Sequence, residues 1–586
     1  MKVLQDSNTI REERSNMSNF IRGVDISSYP EMLDKGFQYF DYDGNKVDLL
    51  EFAKEQGINY GRLRLWNNPA RVPQAEGYCD LEHTKWMAKE LVSRGMKFML
   101  DFHYSDWWAD PGHQEMPEAW KDLPDDELVQ AVYSFTREAL EALDENGTYP
   151  DSIQIGNEIR CGMMWPAGKV SNWPMLARLI NAGIRAVRDT QKERDTQVVI
   201  HLDQGGRYHY LEEWFDAALE HGVTDFDIIG LSYYPFWHGT FNDIKNSMER
   251  LVGRYHKPIV LAEIAHAFRR SSGSLFGKQQ ELNAGFPANP VAQRKVLELI
   301  MSITAHVKNG MGLGVFYWEP FSRSKSDDGS WGSCMGVVDA NGIPTEGCKA
   351  FAFDVERVDC AADAKIYAPG ELTVSPSADL QQCLPKHVNV LKWDGSIEKQ
   401  TVIWANVPGQ GGLPEQGELV LRGTVDSSEE PVSLRVRIET QDINYVRNGN
   451  FAEDTDYWRV TANREVRTDI RPEIAEEYPY GTENYFYFEC KDNFEMELSQ
   501  TIVGLEPGKY ILSVEYRGDN TTGVQVALYA KGQGVDEKTE IFPTDREWRR
   551  SELPLEVSDA GEMEVGIKVD SPAIYGKVRK VTLKKK

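Results

Sequence analysis

The chain has 586 residues, 41% hydrophobic and 27% charged, a composition that excludes disordered and fibrous classes. Lys and Arg number 65 against 92 Asp and Glu, and the resulting net charge of −27 repels polyanions, so nucleic acid is excluded as a partner class. The sequence has no apolar run long enough for a membrane-spanning helix.

In chain order, residues 1–19 form a polar tail without the apolar segment of a signal peptide. The chain as given is therefore expected in the cytoplasm, the alternative being a secreted protein whose signal has been removed. Seven cysteines are scattered with no CxxC pair, which argues against a zinc ribbon and leans towards a reducing compartment.

From residue 20 to 356, eight short apolar runs alternate with stretches of helical period. The runs begin at 21, 60, 97, 152, 197, 226, 258 and 312. Stretches such as LEHTKWMAKELVSRG and MLARLINAGIRAVRDT lie between them. Repeated strand, crossover helix and strand predict a (β/α)8 TIM barrel. A doubly wound open sheet would carry a Gly-rich turn after its first strand, and this chain has none there.

Beyond residue 357 the helical period fades. HVNVLKWDGSIEKQTVIWANV holds a DG turn between alternating runs, a hairpin signal. Residues 366–440 are read as an immunoglobulin-like β-sandwich spacer, and 441–586, with runs such as GKYILSVEYRG and GEMEVGIKV, as a jelly-roll sandwich. The predicted fold is thus multidomain: a TIM barrel followed by two all-β sandwich domains.

A barrel of this kind keeps its chemistry at the C-terminal ends of its strands. Here those ends are polar and aromatic: Asp25; Arg62, Arg64 and Trp66; Asp101, His103 and Asp106; Asn157 and Glu158; His201 and Asp203; Tyr234 and Trp237; Glu263 and His266; Trp318 and Glu319. Together they predict a polar cleft walled by rings. Glu158 ends the fourth strand and Glu263 the seventh, so the two carboxylates face each other across the barrel. At about 5–5.5 Å such a pair suits retaining glycoside hydrolysis. Glu263 is expected ionised beside a guanidinium such as Arg64, and Glu158 protonated because a second carboxylate lies close. Asp101 is read as a supporting residue and Arg62 as the partner of a barrel-interior acid. HxH and HExxH spacings are absent, so no metal and no cofactor are expected.

The blocks RLRLW, LDFHYSDWWADPGHQ, QIGNEI, GLSYYPFWHGT, LAEIAHAF and GVFYWEP, spread over residues 20–356, resemble glycoside hydrolase family 53, the arabinogalactan endo-β-1,4-galactanases of clan A. The resemblance implies a retaining double displacement, with Glu158 as acid/base and Glu263 as nucleophile. It also implies that Arg64, His103, Asn157, Tyr234 and Trp318 lie close to the reacting sugar. The strand-end reading adds Trp66, Asp106, His201, Asp203 and Trp237 as sugar contacts. The implied partner is β-galactan or its oligosaccharides. Rival readings are a clan A enzyme acting on β-mannan or β-glucan, and a non-catalytic carbohydrate-binding protein. The loop after the seventh strand, HAFRRSSGSLFGKQQELNAGFPANP, lacks the acidic character of a calcium loop, and Asp327 and Asp328 are read as a solvated turn. The opening YVRNGNFAEDTDYWRV is similar to carbohydrate-binding jelly-roll modules; Trp458 is expected in the core, with Tyr478, Tyr480 and Tyr485 as candidate sugar contacts.

Overall fold

A computed structural model describes residues 20–586 except 370, 410, 427, 441–442, 452–454, 456, 473–483, 519–523, 533, 542–546, 559–561 and 573. The tail 1–19 and the candidate contacts Tyr478 and Tyr480 therefore lie outside the described residues. The chain divides into two compact units: one runs to Lys365 and includes Leu391–Ile397, and the other comprises Ile366–Val390 and Glu398–Lys586.

The first unit holds a closed barrel of eight strands: β1 (Ile21–Asp25), β2 (Tyr60–Leu65), β3 (Lys97–Phe102), β4 (Ser152–Ile155), β5 (Gln197–Leu202), β6 (Ile228–Tyr233), β7 (Ile259–Ile264) and β8 (Gly312–Tyr317). Each lies parallel to its neighbours in sequence, and β8 closes on β1. All eight predicted runs are these strands. The crossovers carry α1 (Leu49–Glu55), α2 (Leu81–Ser93), α3 (Asp125–Glu145), α4 (Trp173–Thr190), α5 (Tyr208–Glu220), α6 (Phe241–Tyr255) and α7 (Pro290–Ala305).

Local chemistry sets where several helices begin. The Asp48 side chain accepts from the Leu50 and Glu51 amides at the start of α1, and Asp80 does the same for His83 in α2. Thr240 and Asp243 form a reciprocal capping box on α6. Asn289 caps α7, whose first residue, Pro290, has no N–H to satisfy. The helices turn apolar faces to the barrel; in α4, Leu176, Leu179, Ile180, Ile184 and Val187 are all buried at helical spacing.

The barrel interior changes character along its axis. An apolar plug of Tyr60, Met99, Val199, Ile228, Val260, Ala262 and Phe316 fills one zone. Two residues further along β2, β3 and β5 the inward positions become Arg62, Asp101 and His201, all buried. Strand alternation would send Glu263 outwards if Val260 and Ala262 point in. A register shift resolves this: Leu231 pairs with Leu261, but Ser232 pairs with Glu263, so β7 carries one extra residue there. The bulge turns Glu263 into the barrel.

The segment 363–438 folds as one hydrogen-bonded sheet of six strands: β9 (Asp363–Ile366), β10 (Leu372–Val374), β11 (His387–Lys392), β12 (Ile397–Ala405), β13 (Gly417–Val425) and β14 (Ser428–Ile438), in the order β9-β11-β12-β13-β14-β10. Among its described residues, the remainder holds two five-stranded sheets around a core that includes Phe486, Phe488, Leu498, Tyr516, Leu528 and Ile567. Trp458 belongs to that core, its Nε1 donating to the Asn448 carbonyl at 3.1 Å. Tyr485 is buried and meets Trp548 edge-on at 6.0 Å.

Candidate active site

Glu158 follows β4 in the left-handed region, φ 49° and ψ 48°, after Gly156 at φ 77°. This sharp exit from the strand turns the Glu158 carboxyl over the barrel mouth. Holding a non-glycine residue there costs backbone energy, which the surrounding contacts must offset. The Glu158 carboxyl has a ligand-type oxygen within 4.8 Å of both Glu263 and a His201 ring nitrogen. The two carboxyls thus meet across the cavity, as their strand ends predict.

Their surroundings differ. Glu263 Oε1 accepts from Arg62 Nη1 at 3.1 Å, and its Oε2 accepts from the Tyr234 hydroxyl at 2.8 Å. Burial pushes Glu263 up to about 7, while Arg62 and then Tyr234 hold it down. Among the described residues no cation pairs with Glu158, and its carboxyl lies 2.6 Å from Ser232 Oγ. Burial drives it well above the ordinary carboxylate range, and Glu263 and Asp203 add to the effect. Burial thus raises both carboxyls, and at Glu263 the Arg62 guanidinium and the Tyr234 hydroxyl work against that rise.

The guanidinium beside Glu263 belongs to Arg62 and not, as the sequence reading has it, to Arg64. Both arginines point into the barrel from β2, two residues apart, and the sequence cannot say which reaches the acid. Arg62 lies deeper and is fully buried, contacting Asp25 at 3.2 Å, Asp101 at 2.8 Å and Asn157 at 2.7 Å. Arg64 pairs with Glu319 at 2.5 Å. Burial raises Glu319 to about 7 against the pull of Arg64.

The guanidinium of Arg64 is also wrapped by indoles. Its central carbon lies 4.5 Å from the Trp108 ring and 5.4 Å from both Trp66 and Trp318. Trp108 meets Trp66 edge-on at 5.2 Å and Trp318 at 5.8 Å. Tyr234 contacts Trp237 at 5.6 Å and Trp331 at 5.7 Å, and Trp331 Nε1 donates to the Trp318 carbonyl at 2.9 Å. Rings thus gather around Arg64 and around Tyr234, whose hydroxyl bonds Glu263.

Other predicted sugar contacts have protein partners. His103 Nε2 lies 3.1 Å from Asp101, and its Nδ1 accepts from the Ala109 amide at 3.1 Å. Asn157 Nδ2 donates to the Ala109 carbonyl at 2.8 Å. Asp106 accepts from the Glu118 amide at 3.0 Å and so fixes the loop after β3. Asp203 pairs with Arg160 at 2.8 Å and acts on the site through its charge beside Glu158. His201 is sealed in: Nδ1 lies 2.9 Å from Asn157 Oδ1, Nε2 lies 2.9 Å from Ser232 Oγ, and the side chain is buried. A sugar hydroxyl has no ring nitrogen left to bind. The expectation that His201 touches sugar is corrected accordingly; the ring works through Asn157 and Ser232.

Glu158, His201 and Glu263 are residue types that bind metals, but their donor atoms are committed. Both ring nitrogens of His201 are engaged, and Arg62 already neutralises Glu263. That is not the open, multi-donor arrangement of a hydrolytic metal centre. Asp328 accepts from the Ser324 and Ser330 hydroxyls, which lower it to about 2, and Asp327 pairs with Arg269 at 3.2 Å. These are turn contacts.

Two site residues escape the sequence reading. Gln154 donates to Asp101 at 2.6 Å and accepts from Arg62, tying the buried charges together. Ser232 links Glu158 to His201. Both occupy inward positions just below strand ends, a signal that alternation within the strand could have supplied.

Comparison with known proteins agrees with this architecture. The profile described as "Glycosyl hydrolase family 53" matches residues 21–351. An arabinogalactan endo-beta-1,4-galactanase of Cellvibrio japonicus is 35% identical over 325 residues, covering 53% of this chain and 83% of its own length. An endo-beta-1,4-galactanase of Bacillus subtilis is 31% identical over 312 residues, 52% of this chain and 70% of its own. Among solved structures, the Ignisphaera aggregans GH53 catalytic domain is similar with a TM-score of 0.54 and 35% identity, covering 57% of this chain and 96% of that domain. With the matched barrel and its facing carboxyls, these likenesses make the chain a glycoside hydrolase that belongs to glycosyl hydrolase family 53.

Proposed function

We propose that the chain is a retaining endo-β-1,4-galactanase acting on β-1,4-galactan, the side chains of type I arabinogalactan. One observation carries the mechanism: two buried carboxyls, of β4 and β7, have oxygens within 4.8 Å, one beside a cation and one without. That approach fits the short carboxyl separation of retaining glycosidases better than the wider one of inverting enzymes, so it favours direct attack by a carboxylate. The printed names of the relatives support the galactan substrate.

In the first step, Glu263 attacks the anomeric carbon and forms a glycosyl ester. The bond from that carbon to the leaving oxygen breaks, and Glu158 gives its proton to that oxygen. In the second step, a water attacks the same carbon, Glu158 takes the water's proton, and Glu263 leaves as a carboxylate. Arg62 and Tyr234 stabilise the Glu263 charge at both ends of the cycle. The partly exposed Trp108 and Trp318 offer ring faces to the sugars, the buried Trp66 packs behind Trp108, and Arg64 holds the indoles together.

Rival substrates are tested directly. Incubation with linear β-1,4-galactan, β-mannan and β-glucan, with products followed over time, is expected to give a descending ladder of oligosaccharides from galactan alone. Proton NMR of the earliest products is expected to show the β-anomer. Release from mannan or glucan with none from galactan would overturn the substrate, and an α-anomer would overturn the mechanism.

A further inference from the structure

The hydrogen-bond chain behind Glu158 has a direction, and that direction can be read from its far end. Asn157 is the anchor. Its Nδ2 donates to the Ala109 carbonyl at 2.8 Å, and its Oδ1 accepts from Arg62 Nη2 at 2.7 Å and from Gln154 Nε2 at 3.1 Å. Turning the amide over would aim its NH2 at two other donors, so its orientation is fixed.

The same Oδ1 lies 2.9 Å from His201 Nδ1. A carbonyl oxygen at that distance suits a ring N–H and repels a bare ring nitrogen. The Glu158 amide also approaches this nitrogen, but at 3.4 Å, a much weaker claim. The ring carries one proton, because burial, followed by Arg62, His103 and His238, holds it well below the ordinary histidine range. The titratable and charged groups around it are Arg62 from β2, His103 beyond β3, Glu158 beyond β4, Asp203 on its own chain segment, His238 beyond β6 and Glu263 from β7.

With its one proton on Nδ1, the ring presents a bare Nε2 to Ser232 Oγ at 2.9 Å. The single hydroxyl hydrogen of Ser232 then goes to His201. With that hydrogen on His201, Ser232 Oγ, 2.6 Å from Glu158 Oε1, accepts from the protonated carboxyl; it donates across the same contact when the carboxyl is ionised. We propose that His201, held as its Nδ1–H tautomer, and Ser232 are positioning residues that keep the Glu158 carboxyl loaded with its proton and aimed across the barrel. When Glu158 ionises, the Ser232 hydroxyl must turn towards it, and the buried Nε2 loses its donor, which penalises the ionised form. The inference rests on Glu158 being the acid/base.

The opposite polarity, with Ser232 always donating to a Glu158 carboxylate, predicts the opposite sign, so one variant decides between them. The alkaline limb of kcat/KM on galactan reports loss of the Glu158 proton. Ser232→Ala is expected to move that limb to lower pH by about one unit. A shift to higher pH, or none, would overturn the proposal. Selective ¹⁵N labelling of histidine gives a second readout on the wild-type protein, with His201 assigned from His201→Gln. A protonated Nδ1 and a bare Nε2 on the acid side of the limb are expected, and an Nε2–H tautomer there would overturn the proposal even if Ser232→Ala does not fold. Glu158→Gln is assayed in parallel. Full galactan hydrolysis by that variant would sink the acid/base assignment itself, whereas a wrong-signed shift with Glu158→Gln inactive would sink this inference alone.

Discussion

Glu263→Gln is expected to lower kcat on β-1,4-galactan by about 10⁴-fold or more, with the fold intact. The amide keeps the shape of the carboxylate and can still meet Arg62 and Tyr234, but it cannot form the glycosyl ester. Glu158→Gln should cost about 10²- to 10⁴-fold, the range for loss of one positioned proton donor. Rescue separates the two roles. Azide added to Glu158→Ala should intercept the ester and give a β-galactosyl azide. Azide added to Glu263→Ala should fill the vacated face, attack directly and give the α-product. The same anomer from both variants, or wild-type turnover in either, would refute the assignment.

The second large effect concerns Arg62. Arg62→Met removes the cation that touches Asp25, Asp101 and Glu263 together in a fully buried site. Leaving buried carboxylates without their counter-charge is expected to lower the unfolding free energy by about 3–5 kcal/mol, measurable by urea titration. The catalytic consequence has a definite sign. Glu263 must be ionised to attack, and Arg62 does most to hold its pKa down. Without Arg62 that pKa rises, so the acid limb of kcat/KM moves to higher pH. Arg64→Met serves as the control: it breaks the Glu319 pair and disturbs the indole wall, but it leaves the Arg62–Glu263 contact in place. It should raise KM without moving the acid limb. A common shift in both variants would show that the two arginines act on Glu263 as a field and not through contact.

The charge network also explains why so polar a barrel interior is tolerated. Four acids, Asp25, Asp101, Glu263 and Glu319, are buried around two arginines. Each acid is tied to a guanidinium, and Gln154, Ser28 and Tyr234 satisfy further oxygens. Removing one member strands its partners, so effects within this group should not add.

The sequence by itself determined the barrel, because its evidence is local and repeated. Each buried parallel strand must be a short apolar run, each crossover helix must show its apolar stripe, and the eight repeats leave little other architecture to choose. It also put Glu158 and Glu263 at the barrel mouth, since a chain leaving a strand there has nowhere else to go. What it could not give was the phase and reach of side chains inside the cavity. Only the bulge in β7 brings Glu263 onto the same face as Val260. Only the packed barrel decides that Arg62, not Arg64, meets the nucleophile candidate, because the two share an inward face and differ only in depth. His201 looked like a sugar contact from its strand end, yet Asn157 and Ser232, from neighbouring strands, close over both ring nitrogens. Such partnerships join residues 31 to 201 positions apart. Periodicity records which way a residue points, but which distant residue waits there is fixed only when the strands take their register.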